Sequence, residues 1–210
     1  MKKIISVLVL FAVVTAGAFA IDLSVGAGAL FDLSANNGVK GDVMGFDYVA
    51  KITNTSFGGF VFLDATYAAL DVSFAYGSTS GSVEVAGVKV STSDMDFGLT
   101  QLGIGLTGKY PIDLGNFVIF PLLGINYNVV LSAKNDDGDK ADDPGDMSQF
   151  GILAGVGADF DINESLYFRA TAAFQLRFAN KLMKDMADEM EADTTLGMGP
   201  RITLALGYRF

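Results

Sequence analysis

Residues 201–210 read RITLALGYRF, and the alternation in these ten residues decides the fold. Ile202, Leu204, Leu206, Tyr208 and Phe210 fall on one face of a period-two repeat, with Arg201, Thr203, Ala205, Gly207 and Arg209 on the other. Successive side chains of an extended strand point to opposite sides, so the stretch reads as a strand with one apolar face. Soluble domains usually trail off in a few polar, poorly ordered residues. Here the last residue is an aromatic that belongs to the repeat.

Seven runs of the same kind precede it. In IDLSVGAGALFDL (21–33), Ile21, Leu23, Val25, Ala27, Ala29, Phe31 and Leu33 oppose Asp22, Ser24, Gly26, Gly28 and Asp32. The run near 56–67 sets Phe57, Val61, Leu63 and Tyr67 against Phe60, Phe62, Asp64 and Thr66. A third, 70–77, opposes Leu70, Val72, Phe74 and Tyr76 to Asp71, Ser73, Ala75 and Gly77, and is short unless it continues past Gly77. Runs at 97–110, 117–131, 149–160 and 166–178 repeat the pattern. The connections Ala68-Ala69, PIDLGN (111–116) and DINES (161–165) are short, whereas 34–55, 78–95, 132–148 and 179–195 are long and polar. Short turns at one end and long loops at the other are the arrangement of a membrane barrel.

The rest of the chain agrees. MKKIISVLVLFAVVTAGAFA (1–20) has basic Lys2 and Lys3, an apolar core and small residues at Ala18 and Ala20, which is the pattern of a cleaved signal peptide. Losing those two lysines takes the net charge from −10 to −12, which disfavours nucleic acid as a partner. Half the residues are hydrophobic and the mean hydropathy is +0.40. The longest apolar stretch past the signal is nevertheless FVIFPLLGI (117–125), interrupted by Pro121 and Gly124. A membrane helix needs about 20 apolar residues. A chain this hydrophobic without such a helix is reconciled by a closed barrel.

A soluble eight-stranded barrel also alternates, so the sign of the faces must decide. The consistently apolar face carries no charged residue, and the other collects Asp22, Asp32, Asp64, Asp71, Lys109, Asp159, Arg169, Arg177, Arg201 and Arg209. Water cannot be on the uncharged side. We therefore expect an all-β chain, residues 21–210 forming an eight-stranded antiparallel transmembrane up-and-down β-barrel with long extracellular loops and short periplasmic turns. Its apolar face would meet membrane lipid, with Tyr67, Tyr110, Phe117, Phe160, Tyr208 and Phe210 as an aromatic belt at the turn end.

PLLGINY (121–127), GVGADFDINESLYF (155–168) and the closing GYRF resemble the strands of small outer-membrane barrels of the OmpW and OmpA/OmpX kind. The resemblance implies the outer membrane of a diderm bacterium. It also implies that the terminal strand, through Tyr208 and Phe210, is read by the barrel-assembly machinery. A further implication is a lumen that takes small hydrophobic solutes.

There is no His and no Cys. Ser/His and Asp/His constellations cannot be assembled, and zinc loses its preferred ligands. The expectation is no enzyme, no cofactor and no metal centre. The inward face supports two readings. Asp22, Asp64, Asp71, Lys109, Asp159, Arg169, Arg201 and Arg209 could pair as a charge network that plugs the lumen. Leu30, Phe60, Phe62, Phe120, Leu122 and Leu153 could instead wall a narrow channel or pocket for passive passage of small or hydrophobic solutes. The alternative function is a structural or adhesin-like barrel, its lumen plugged and its loops meeting surface partners. KNDDGDKADDPGD (134–146) reads as a solvated acidic loop, with calcium as the rival reading. ANKLMKDMADEMEADTT (179–195) switches to helical spacing through Leu182, Met186 and Met190, and a helix there would cap the barrel mouth.

Overall fold

The computed structural model describes residues 22–43, 46–85, 88–135 and 138–210. The signal segment 1–20 lies outside the described residues, as do Ile21 and two aspartates of the acidic loop, Asp136 and Asp137.

The elements in chain order are β1 (Leu23–Val43), β2 (Phe46–Ala65), β3 (Ala68–Val85), β4 (Val88–Lys109), the two-residue β5 (Ile112–Asp113) and β6 (Phe117–Lys134). Then come a single 3-10 turn at Pro144–Met147, β7 (Gln149–Asp161), β8 (Leu166–Arg177), helix α1 (Lys181–Glu189), the short β9 (Asp193–Thr195) and β10 (Gly197–Arg209). The eight long strands pair antiparallel with their neighbours in sequence. The ring closes where β10 meets β1, from Ser24↔Arg209 to Ala35↔Met198. Closure leaves this part of the sheet without an edge, as a bilayer demands of backbone donors and acceptors.

Burial alternates with the sequence pattern. On β10, Arg201, Thr203, Ala205 and Gly207 are buried, and Ile202, Leu204, Leu206 and Tyr208 are exposed. Large exposed apolar side chains such as Phe57, Val61, Leu123, Val156 and Leu206 cover the outside, which is the inverse of a soluble core. Aromatics ring this surface at two levels. Phe117 stacks on Phe160 (6.0 Å) and Tyr208 meets Phe210 edge-on (5.4 Å) at the turn end. Phe31, Phe57 and Tyr76 lie on one rung at the loop end. The stretch from Phe57 to Tyr67, at roughly 3.3 Å per residue and a tilt of roughly 40°, spans about 25 Å, the height of a barrel's apolar band.

The third run does continue past Gly77, to Val85. Two of the four long loops expected from the sequence are not loops. The β1–β2 ladder runs on to Val43↔Phe46 and the β3–β4 ladder to Val85↔Val88, with bulges at 34–37 and 79–81. These hairpins rise above the closed ring, and β9 pairs with β1 through Gly38–Lys40. Above the bilayer no face has to be uniformly apolar, so period-two hydropathy is lost there while backbone pairing persists, with Val39, Tyr48 and Ala50 buried all the same.

Candidate functional site

The lumen is the concave feature that the strands build, and it is filled from the turn end upward by large–small pairs across the ladder. Phe62 stands opposite Gly26, Phe120 opposite Gly157 and Tyr167 opposite Gly207. A Cβ on any of these glycines would run into the facing ring. Each ring therefore lies flat across its neighbouring strand, the device by which an aromatic covers a strand glycine.

Those rings hold the first ion layer. Arg169 forks onto Asp159, its partner on the next strand, through Nε–Oδ1 (2.6 Å) and Nη2–Oδ2 (2.7 Å). Its third nitrogen, Nη1, donates to Asp64 Oδ2, which also receives Lys109 Nζ at 2.7 Å. The guanidinium sits 4.8 Å from the Phe62 ring centre, 5.2 Å from Tyr167 and 5.3 Å from Phe120, and Lys109 lies 4.8 Å from Phe120. Two cations and two carboxylates thus cancel in a layer walled by aromatic faces. Tyr167 is fully buried and its hydroxyl hydrogen-bonds Ser24 Oγ at 2.8 Å.

A second layer lies nearer the loops. Asp32 Oδ2 accepts from Arg177 Nη2 (2.8 Å) and has Arg201 Nη1 at 3.9 Å, while Arg201 Nη2 reaches Asp71 Oδ1 at 3.3 Å. With its amide nitrogen turned toward Asp32, Gln175 donates to Oδ2 (3.0 Å) and accepts from Arg177 Nε (3.2 Å). This layer is also neutral. Between the two layers is a cavity of about 80 Å³, bounded by Phe60, Phe62, Phe120, Leu122 and Leu153 together with both sets of charges. Phe120, Leu122, Leu153 and Ala173 pack there as one cluster. Leu30 is likewise buried.

Below the first layer a vestibule of about 240 Å³ opens at the turn end, with Asp22 and Asp113 on its wall. Asp22 is exposed and joins neither layer; its backbone N–H donates to Thr66 Oγ1 (3.1 Å). Arg209 pairs at the rim with Asp161 (2.6 Å) and stands over the Tyr167 ring. The eight charged residues singled out in the sequence therefore fall into two separate layers and a rim. Asp32, Arg177, Gln175 and Tyr167 complete what those eight do not. Tyr167 shares the parity of Arg169 and Arg177, and that parity was the signal available for it.

At the loop end, Leu99, Val130 and Ala133 pack beneath Phe97, Ala141 and Met147. Helix α1 docks beside them and buries Met183 and Ala187, with Leu182 and Met186 half-buried alongside. Asn180 caps the helix by accepting from Met183 N–H (2.9 Å) and donates to Met147 O (3.2 Å). Lys181 Nζ meets Asp146 at 2.7 Å, and this hydrogen bond raises the lysine's pKa above its ordinary value. Among the described residues no cluster of acidic side chains is arranged to hold a metal ion, and no helix is long and apolar enough to cross a membrane.

A closed ring of eight antiparallel strands, uncharged outside and ion-paired within, defines a membrane-spanning β-barrel with a filled lumen. No protein-family model and no curated protein matches the sequence. Among solved structures the chain is similar to neisserial surface protein A, at 10% identity and a TM-score of 0.48 over 90% of this chain and 97% of that one. It is also similar to the translocator domain of the autotransporter NalP from Neisseria meningitidis (11%, TM-score 0.31, 95% and 93%). A third is the outer-membrane protease OmpT from Escherichia coli (11%, 0.33, 92% and 99%).

Proposed function

We propose that the chain is an integral outer-membrane β-barrel of a diderm bacterium, with a sealed lumen and a working surface made by the hairpins at its loop end. The observation that carries this reading is the pair of buried ion layers, which leave only about 80 Å³ between them. A porin interior is a continuous water-filled passage, and this one is interrupted twice. The likeness of 121–127, 155–168 and GYRF to OmpW-type barrels supports the outer membrane, with the short turns periplasmic and Tyr208 and Phe210 serving the assembly machinery. Because the lumen charges cancel, the net negative charge resides at the two ends. The loop end carries most of it, through residues such as Asp42, Glu84, Asp142, Asp143 and Glu191, which favours basic surface partners. The barrel works as a platform and does no catalysis of its own.

The mature chain refolded into a planar bilayer tests this. Silence across the usual voltage range is expected, and discrete openings in the wild type would overturn the sealed lumen. The apolar wall of the inner cavity favours a second reading, a pocket for a very small hydrophobic solute. A Phe120→Asp barrel that folds and takes up such solutes as well as wild type would remove it.

A further inference from the structure

The two ion layers differ in how completely protein atoms satisfy them. In the lower layer both oxygens of Asp159 are bonded, and Asp64 receives Lys109 and Arg169. In the upper layer Asp32 Oδ1 has no protein partner, and neither has Gln101 Nε2. Asp32 is 2% exposed and Gln101 4%. Folded proteins pair the great majority of such atoms, with protein or with ordered water.

Both side chains border one space of about 10 Å³, with Arg177 and Arg201 on its wall. The strand positions between them are small. Gln101 stands opposite Ala75 on β3, and Asp32 opposite Ser56 on β2. No side chain there is long enough to join the carboxylate to the amide. The space is close to the minimum that holds one water, and the wall supplies polar partners on several sides.

The chemistry of the two atoms selects the occupant. Whatever joins them must donate to a carboxylate oxygen and accept from an amide N–H. Ammonium has no lone pair to offer Gln101, a halide has no proton to offer Asp32, and an added metal ion would face two arginines. Water meets both requirements and is neutral. We propose that a single buried water belongs to the upper ion layer, donating to Asp32 Oδ1 and accepting from Gln101 Nε2. The lower layer is held by rings and borders the turn-end vestibule, whereas the upper one is complete only when hydrated. Gln101 is then a positioning residue for the plug.

The proposal predicts a long-lived contact between water and the Gln101 side-chain amide. It is read as a water–amide cross-peak in NMR spectra of the nanodisc-embedded full barrel labelled at glutamine nitrogen. The expected spectrum shows a cross-peak at the Gln101 Nε2 protons, assigned by its loss in Gln101→Met, and none at Gln175, which is bonded to protein. Ala75→Val, which fills the space with two methyl groups, abolishes the Gln101 cross-peak while the barrel keeps its folded mobility in SDS. A wild-type spectrum with no water contact at Gln101, or one that survives Ala75→Val unchanged, overturns the proposal.

Discussion

One guanidinium, that of Arg169, answers two carboxylates and lies among three rings, so its loss strands more than its own contacts. In Arg169→Met, Asp159 is left buried without its partner and Asp64 keeps Lys109 alone. Breaking a buried pair from one side costs about 3–5 kcal/mol. The loss is read as a lower urea midpoint for the refolded barrel, followed by circular dichroism because the chain has no Trp. Adding Asp159→Asn to Arg169→Met leaves the neutral Lys109–Asp64 pair, and the double variant should recover more than half of the loss. A double variant no more stable than the single would mean that the packing of the guanidinium, not its charge, is what matters. The glycines facing the rings act at the same scale. Gly157→Val places two methyls where the Phe120 ring lies, and overpacking of this kind costs about 1–3 kcal/mol. An unchanged urea midpoint would show that the ring moves freely.

Among the elements, α1 is held to the rest of the loop end by few contacts, which makes each of them measurable. Asn180→Ala removes the N-cap and the bond to Met147 O, and losing such a cap costs about 1 kcal/mol. Amide exchange at Met183 and Lys184 should quicken several-fold, with the β6–β7 ladder unchanged. The Lys181–Asp146 bond has its own pH dependence. The folded pKa of Lys181 lies above its unfolded one, so the bond's contribution is complete below the unfolded value and is lost as pH rises through the folded value. Proteolysis near residues 179–195 should therefore be the same at pH 6 and pH 8 and accelerate only in strong alkali. The sequence made this helix visible through its change of period, and the eight wall strands visible because lipid forbids charge on one face. The upper hairpins were hidden for the converse reason: above the bilayer no face has to be uniformly apolar, so although Val39, Tyr48 and Ala50 are buried, no hydropathy rule marks the pairing of Val39 with Ala50. Parity likewise put Asp32 and Arg201 on the inner face. It could not say that Asp64 and Lys109, on strands separated by β3, share one layer, because that follows from the stagger of the closed ring.

For the whole molecule, the question is whether the wall or the loops seal it. Both positions hold candidate plugs: α1 with the Leu99–Val130–Ala133 cluster at the loop end, and the Arg169 layer deep in the band. The deep layer ties β2, β4, β7 and β8 together through Asp64, Lys109, Asp159 and Arg169 and carries no net charge, so it needs nothing from the loops. α1 touches chiefly β1, β9 and the 3-10 turn, so its removal breaks none of the eight wall pairings. A chain lacking residues 181–189 should accordingly refold, show the folded mobility in SDS and remain electrically silent in a planar bilayer. Combining that deletion with Arg169→Ala and Arg177→Ala opens both ion layers as well as the loop end, and only this variant should pass current, in small openings favoured for cations by Asp32, Asp64 and Asp159. Openings from the α1 deletion alone would move the seal from the wall to the loop end. Silence from the combined variant would mean that Phe62, Phe120 and Tyr167 close the lumen without their cation.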